Sequence, residues 1–137
     1  MEMLRTRQRI LRAIREWFEE QNFIETETPI LVRAPSPEAQ FSPEQTSSGY
    51  LITSPEFQMK RLLSGGFERI FQFARCFRKN ESGPLHNPEF TMLEWYRTNE
   101  PLAKLMSDIE QMVKHLTETV SAQSFPEQVP LPPWPRV

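Results

Sequence analysis

The sequence predicts an α+β fold, an antiparallel sheet flanked by helices. Three observations predict it. Apolar stripes at helical spacing stand near both ends of the chain. Between them, residues 69–78 and 88–97 alternate at period two. The connector Lys79–Asn87 carries Asn80, Ser82, Gly83 and Pro84, all turn formers, so the two runs read as one hairpin.

The elements follow in order. Residues 3 to about 21 read as an amphipathic helix, with Leu4, Ile10, Leu11, Ile14 and Phe18 on one stripe and Arg and Glu opposite. A short strand fits Phe23–Glu27 and is stopped by Pro29. Residues 34–49 are rich in Pro, Ser and Gln without periodicity, which predicts a long, mobile loop. Tyr50–Thr53 is a short β-like run. Ser54 then suits an N-cap, Pro55 the first helical position and Glu56 the positive end of a helix dipole. That helix carries Phe57, Met59, Leu62 and Leu63, and Gly65-Gly66 ends it. Pro101 opens a last helix with Leu102, Leu105, Met106, Ile109, Met112, Val113 and Leu116 on one stripe. Residues 121–137 turn polar and then proline-rich, a tail rather than a packed element.

Totals bound the function classes. A chain of 137 residues suits one domain. A net charge of −2 lacks the basic footprint of a nucleic-acid binder. The single cysteine, Cys76, allows no internal disulfide, and no apolar run approaches the roughly 20 residues of a membrane span. A cytoplasmic protein is the expectation.

Strand alternation divides the hairpin into two faces. Phe71, Phe73, Phe77, Leu93 and Trp95 make the expected core face. Arg78, Phe90, Glu94 and Tyr96 share the other, over the small residues Ala74 and Cys76. A cation, a ring, a carboxylate and a phenol over small neighbours suit the floor of a ligand site: an anion for Arg78, a planar ring for Phe90, an amine for Glu94. Alternation alone favours an ordinary solvated face. Ser54–Glu56 also reads as a plain helix start, His86 as a surface histidine, and Glu94 as an exposed strand residue. Cys76 reads as a small buried neighbour with no histidine close in sequence to activate it.

The order of residues adds a resemblance. Phe77-Arg78, a polar turn, and then His86-Asn87-Pro88-Glu89-Phe90-Thr91-Met92-Leu93-Glu94-Trp95-Tyr96-Arg97 resemble motif 2 of class II aminoacyl-tRNA synthetases, of the lysyl branch. Ser54-Pro55-Glu56 with Met59-Lys60-Arg61-Leu62 resembles the segment preceding motif 2 there, and Phe23–Ile30 resembles motif 1, which lies at the dimer interface. The three stand in the family's order. Within that branch the chain is similar to the ligases that modify elongation factor P. Its first helix begins almost at Met1, so no anticodon-binding domain is expected before it, and Leu93–Arg97 is similar to their form of the motif.

The resemblance implies a class II synthetase-type catalytic domain, truncated, using ATP and Mg2+, and a homodimer through Phe23–Ile30. It implies activation of lysine or β-lysine as an adenylate and transfer to a lysine of elongation factor P. A tRNA would be the acceptor if the chain is a lysyl-tRNA synthetase fragment, and a non-catalytic interaction module is a third possibility. Arg78 is implied to contact the ATP α-phosphate and the substrate carboxylate. Lys79, Asn80, His86 and Asn87 are implied at the nucleotide, with Phe90 stacked on adenine. Glu56 is implied to bind a substrate amine, Ser54 and Pro55 to wall it, and Glu94 and Tyr96 to meet the side-chain amine.

Two departures accompany the resemblance. Asn80 stands where the family usually has Glu, with Glu81 one position on. Nothing after Val120 resembles the family's second half, with its motif 3 arginine and metal-binding acids. Residues 1–137 alone are therefore expected to bind ATP weakly at most and not to turn over.

Overall fold

The computed structural model describes residues 1–37 and 41–120. The proline-rich tail 121–137 and the middle of the 34–49 loop lie outside the described residues. The chain forms two compact units: Met1–Phe23 with the chain from Asn99 onward, and Ile24–Thr98. No helix among the described residues is long and apolar enough to cross a membrane.

The first unit pairs two helices, α1 (Glu2–Glu20) and α3 (Leu102–Thr119). The buried face of α1 is Ala13, Ile14, Trp17 and Phe18, with Leu4 exposed. Burial thus concentrates in the second half of the helix, where Trp17, Phe18 and Phe23 meet edge to face at centroid separations of 4.9 Å. Burying each large side chain contributes roughly 1.5–3 kcal/mol, more than helix propensity supplies. On α3 the buried line is Asp108, Met112 and Leu116. Leu102, expected on the inner stripe, is 71 % exposed. The line runs i, i+4, i+8, and Leu102 falls outside it. Lys104 pairs with the buried Asp108 at 3.4 Å and offsets the cost of enclosing that charge.

The second unit carries two three-stranded sheets and one helix, α2 (Glu56–Ser64). The first sheet has the order β1-β5-β6, from β1 (Ile24–Glu25), β5 (Arg69–Phe77) and β6 (Glu89–Arg97). β5 and β6 form the expected antiparallel hairpin, in a register pairing Phe71 with Trp95, Gln72 with Glu94, Ala74 with Met92 and Cys76 with Phe90. β1 runs parallel to β5, so this sheet is mixed rather than wholly antiparallel. Thr26 N–H donates to the Phe71 carbonyl at 2.8 Å, and Thr28 Oγ1 bonds Gln72 Oε1 at 3.0 Å in a buried pair.

The second sheet has the order β2-β4-β3, from β2 (Leu31–Val32), β3 (Gln45–Thr46) and β4 (Gly49–Leu51), all antiparallel. This corrects the reading of 34–49 as one loop, because its end is a tight hairpin. The strands are too short and polar to show a period, and their order comes from pairing with β4. Gly49 has φ +149°, and a Cβ there would lie 2.4 Å from the Val32 carbonyl oxygen. Only glycine fits that approach. Ile52 joins the two sheets: its N–H donates to the Ile30 carbonyl at 3.0 Å, and its carbonyl accepts from Phe77 N–H at 2.8 Å.

Candidate functional site

The register puts the two expected faces of the hairpin where alternation predicts them. Burial is distributed differently. On β5 the presumed ligand side is the more enclosed: Ile70, Gln72, Ala74 and Cys76 are buried, while Phe73 and Phe77 on the other side are only half-buried. Ala74 and Cys76 form a cluster with Ile52, against which Val32, Phe90 and Met92 pack. They are therefore not an open floor. The chain running through Ile52 lies over them.

On either side of that cluster the polar residues gather into two groups. The first surrounds Glu94. α2 begins at Glu56, one residue later than its cap signals suggest, yet Ser54 Oγ still accepts from Glu56 N–H at 3.1 Å. The same hydroxyl donates to Glu94 Oε2 at 2.9 Å, and the Tyr96 hydroxyl donates to Glu94 Oε1 at 2.5 Å. Both carboxylate oxygens are thus held by hydroxyl donors, fixing the group without neutralising its charge. Burial, the hydrogen bond to Glu94 and the charges of Glu94 and Glu56 together push the Tyr96 phenol well above its ordinary range. It stays a donor at any working pH. Glu56 bonds Lys60, one turn along, and that contact with nearby Glu94 raises the lysine above its usual value. One serine therefore ties the Glu94 carboxylate to the backbone of Glu56, whose own carboxylate carries an internal ammonium.

The second group surrounds Arg78. Its guanidinium carbon lies 3.6 Å from the Phe41 ring centroid and 5.1 Å from that of Phe90. Glu81 reaches it at only 3.9 Å, and Arg78 Nε is buried without a hydrogen-bond partner among the described residues. Asn80 takes φ +65°, a left-handed conformation that asparagine tolerates better than glutamate, and Glu81 supplies the local charge instead. Phe90 and Glu94 are four residues apart on one strand, so the groups stand roughly 13 Å apart along it.

The structure thus brings Ser54, Glu56, Glu94 and Tyr96 together, and Arg78 with Phe90. Pro55 is fully buried beside the first group. Lys79, Asn80, His86 and Asn87 are exposed on the connector, where Gly83 and His86 exchange backbone hydrogen bonds. Two surface cavities, one along Glu2, Arg5, Gln8, Arg9 and Arg12 and one between Pro29–Ala34 and Gln58/Arg61, contain none of these residues. Sequence reasoning missed Lys60 and Phe41. The i, i+4 spacing from Glu56 was a signal for the first. For the second, the signal was a lone aromatic in a polar, proline-rich stretch. Among the described residues no group of three or more His, Cys, Asp or Glu side chains is placed to hold a metal ion.

A family model described as tRNA synthetases class II (D, K and N) matches residues 1–137. Among curated relatives, the elongation factor P–(R)-β-lysine ligase of Mannheimia succiniciproducens is 38 % identical over 133 residues, covering 90 % of this chain and 41 % of the relative. That of Edwardsiella ictaluri is 40 % identical over 129 residues, covering 87 % and 40 %. That of Haemophilus ducreyi is 36 % identical over 138 residues, covering 93 % and 42 %. The chain spans about two-fifths of the length of these relatives.

Proposed function

Because the chain belongs to the class II tRNA synthetase family (D, K and N), we propose that it supplies part of the amino-acid and nucleotide site of an ATP-dependent ligase. The substrate is lysine or β-lysine, activated as an aminoacyl-adenylate. The acceptor is a lysine of elongation factor P, as the names of the relatives indicate for those proteins. The observation that carries this reading is the Ser54–Glu94–Tyr96 cluster beside Glu56. Ser54 ties the Glu94 carboxylate to the Glu56 main chain, and these two carboxylates suit a substrate with two ammonium groups, while Arg78 suits its carboxylate.

In this reading a substrate carboxylate oxygen attacks the α-phosphorus of ATP, and pyrophosphate leaves. Arg78 stabilises the charge that develops on the phosphoryl oxygens. The acceptor amine then attacks the activated carbonyl, AMP leaves, and the amine's proton passes to solvent. Glu94 holds one substrate amine, with Ser54 and Tyr96 keeping it oriented. Glu56 exchanges Lys60 for the other amine. Phe90 offers a ring to adenine, and His86, Asn87, Lys79 and Asn80 approach the nucleotide from the connector. The protein works in the cytoplasm as a homodimer through Phe23–Ile30, with Mg2+ accompanying ATP. Residues 1–137 alone bind ATP weakly at most and do not turn over, because no motif 3 arginine is among them.

The test is mass spectrometry of elongation factor P incubated with ATP, β-lysine and the longest reading frame containing these residues. A single added lysyl mass at one lysine is expected, lost in Arg78→Lys. Acylation of tRNA with elongation factor P untouched would contradict the acceptor.

A further inference from the structure

Phe41 lies in a stretch that shows neither helical nor strand periodicity, yet the residue is half-buried with its ring against Arg78. The approach is fixed by backbone. Lys79 N–H, next to Arg78, donates to the carbonyl of Ser42, next to Phe41, at 2.8 Å. Two residues further on, the Glu44 carbonyl accepts from Leu51 N–H at 2.9 Å, and Gln45 enters β3. The segment bearing Phe41 is therefore pinned to the strand bearing Arg78 and to the second sheet.

Aromatic rings attract a guanidinium but accept none of its in-plane hydrogen bonds. Arg78 reflects this division. Phe41 and Phe90 lie against it, while its Nε is buried with no hydrogen-bond partner among the described residues and Glu81 stays at 3.9 Å. A buried donor left unsatisfied costs free energy that a ligand oxygen would recover. Nε with one terminal nitrogen forms the side-on fork that takes two oxygens of a carboxylate or a phosphate.

We infer that Phe41 is a positioning residue for Arg78, holding the guanidinium so that its unsatisfied Nε edge receives an oxyanion. The inference rests on the reading of Arg78 as an anion site. If the ring merely filled space, leucine or methionine would serve as well.

The test follows the Arg78 Nε–H resonance by NMR in the chain labelled at arginine, assigned by its loss in Arg78→Lys. Phe41→Leu and Phe41→Met are expected to reduce its ring-current shift to what Phe90 leaves and to lower its order, and Phe41→Tyr to preserve both, with far-UV circular dichroism unchanged throughout. Titration with pyrophosphate is expected to move the resonance, with affinity roughly threefold to tenfold weaker in Phe41→Leu and restored in Phe41→Tyr. A parallel titration with lysine separates a carboxylate source from a phosphate one. If the resonance and the affinity are unchanged in both Phe41→Leu and Phe41→Met, the inference is overturned. If the resonance follows Phe41 while neither anion moves it in the unsubstituted chain, the anion-site reading of Arg78 falls instead.

Discussion

At the scale of single residues, Tyr96 and Lys60 control the two carboxylates. The Tyr96 phenol is held protonated by burial and by Glu94, so the folded chain binds that proton more tightly than the unfolded chain does. Its contribution is fully present below the ordinary phenol value of 10.0 and is lost as pH rises above it. Tyr96→Phe should cost about 1 kcal/mol at pH 7, the lower range for a hydrogen bond to a charged group because the site is partly open to solvent. The gap between the two proteins, measured by urea unfolding, should stay constant from pH 7 to 10 and narrow above. A gap that stays constant above pH 10 as well would place the phenol in an ordinary environment. Lys60 competes for Glu56 with any amine that enters. Lys60→Met should therefore tighten β-lysine binding, by roughly twofold to fivefold given the weakness of exposed pairs. Weaker binding in the variant would mean that Lys60 orients Glu56 rather than blocking it.

Among the elements, the β5–β6 hairpin was legible from sequence almost to the residue. Its period-two pattern spans nine residues on each strand, and its register follows from one polar connector. The identity of each face was legible too, but its burial was not, since that depends on Ile52, just after β4, packing against Ala74 and Cys76. The β3–β4 hairpin was hidden for a related reason. Gln45, Thr46 and Gly49 have no strand signal of their own, and Gly49 matters because it lets β4 approach Val32. Gly49→Ala should cost roughly 1–3 kcal/mol through backbone strain and the clash with Val32, seen as a lower urea midpoint at constant slope. An unchanged midpoint would show that β2 and β4 are not held at that distance. Asp108 gave no sequence hint either, because a carboxylate on an apolar stripe reads as an interruption until Lys104 is seen beside it.

For the molecule as a whole, motif order was enough to point to the family, and the match over residues 1–137 shows it. Sequence could not show how the site residues divide. Ser54, Glu56, Glu94 and Tyr96 form one hydrogen-bonded group, and Arg78 with Phe90 and Phe41 another, with an apolar cluster between them. That division suits a substrate with a side-chain ammonium at one end and an anionic group at the other. Calorimetric titration of β-lysine into the chain and into Glu94→Gln tests it most directly. The unsubstituted chain should bind, and Glu94→Gln should bind about tenfold more weakly or worse, as for a lost charged hydrogen bond, with its fold intact. Equal affinities in the two proteins, or no binding to either, would contradict an amine site at Glu94.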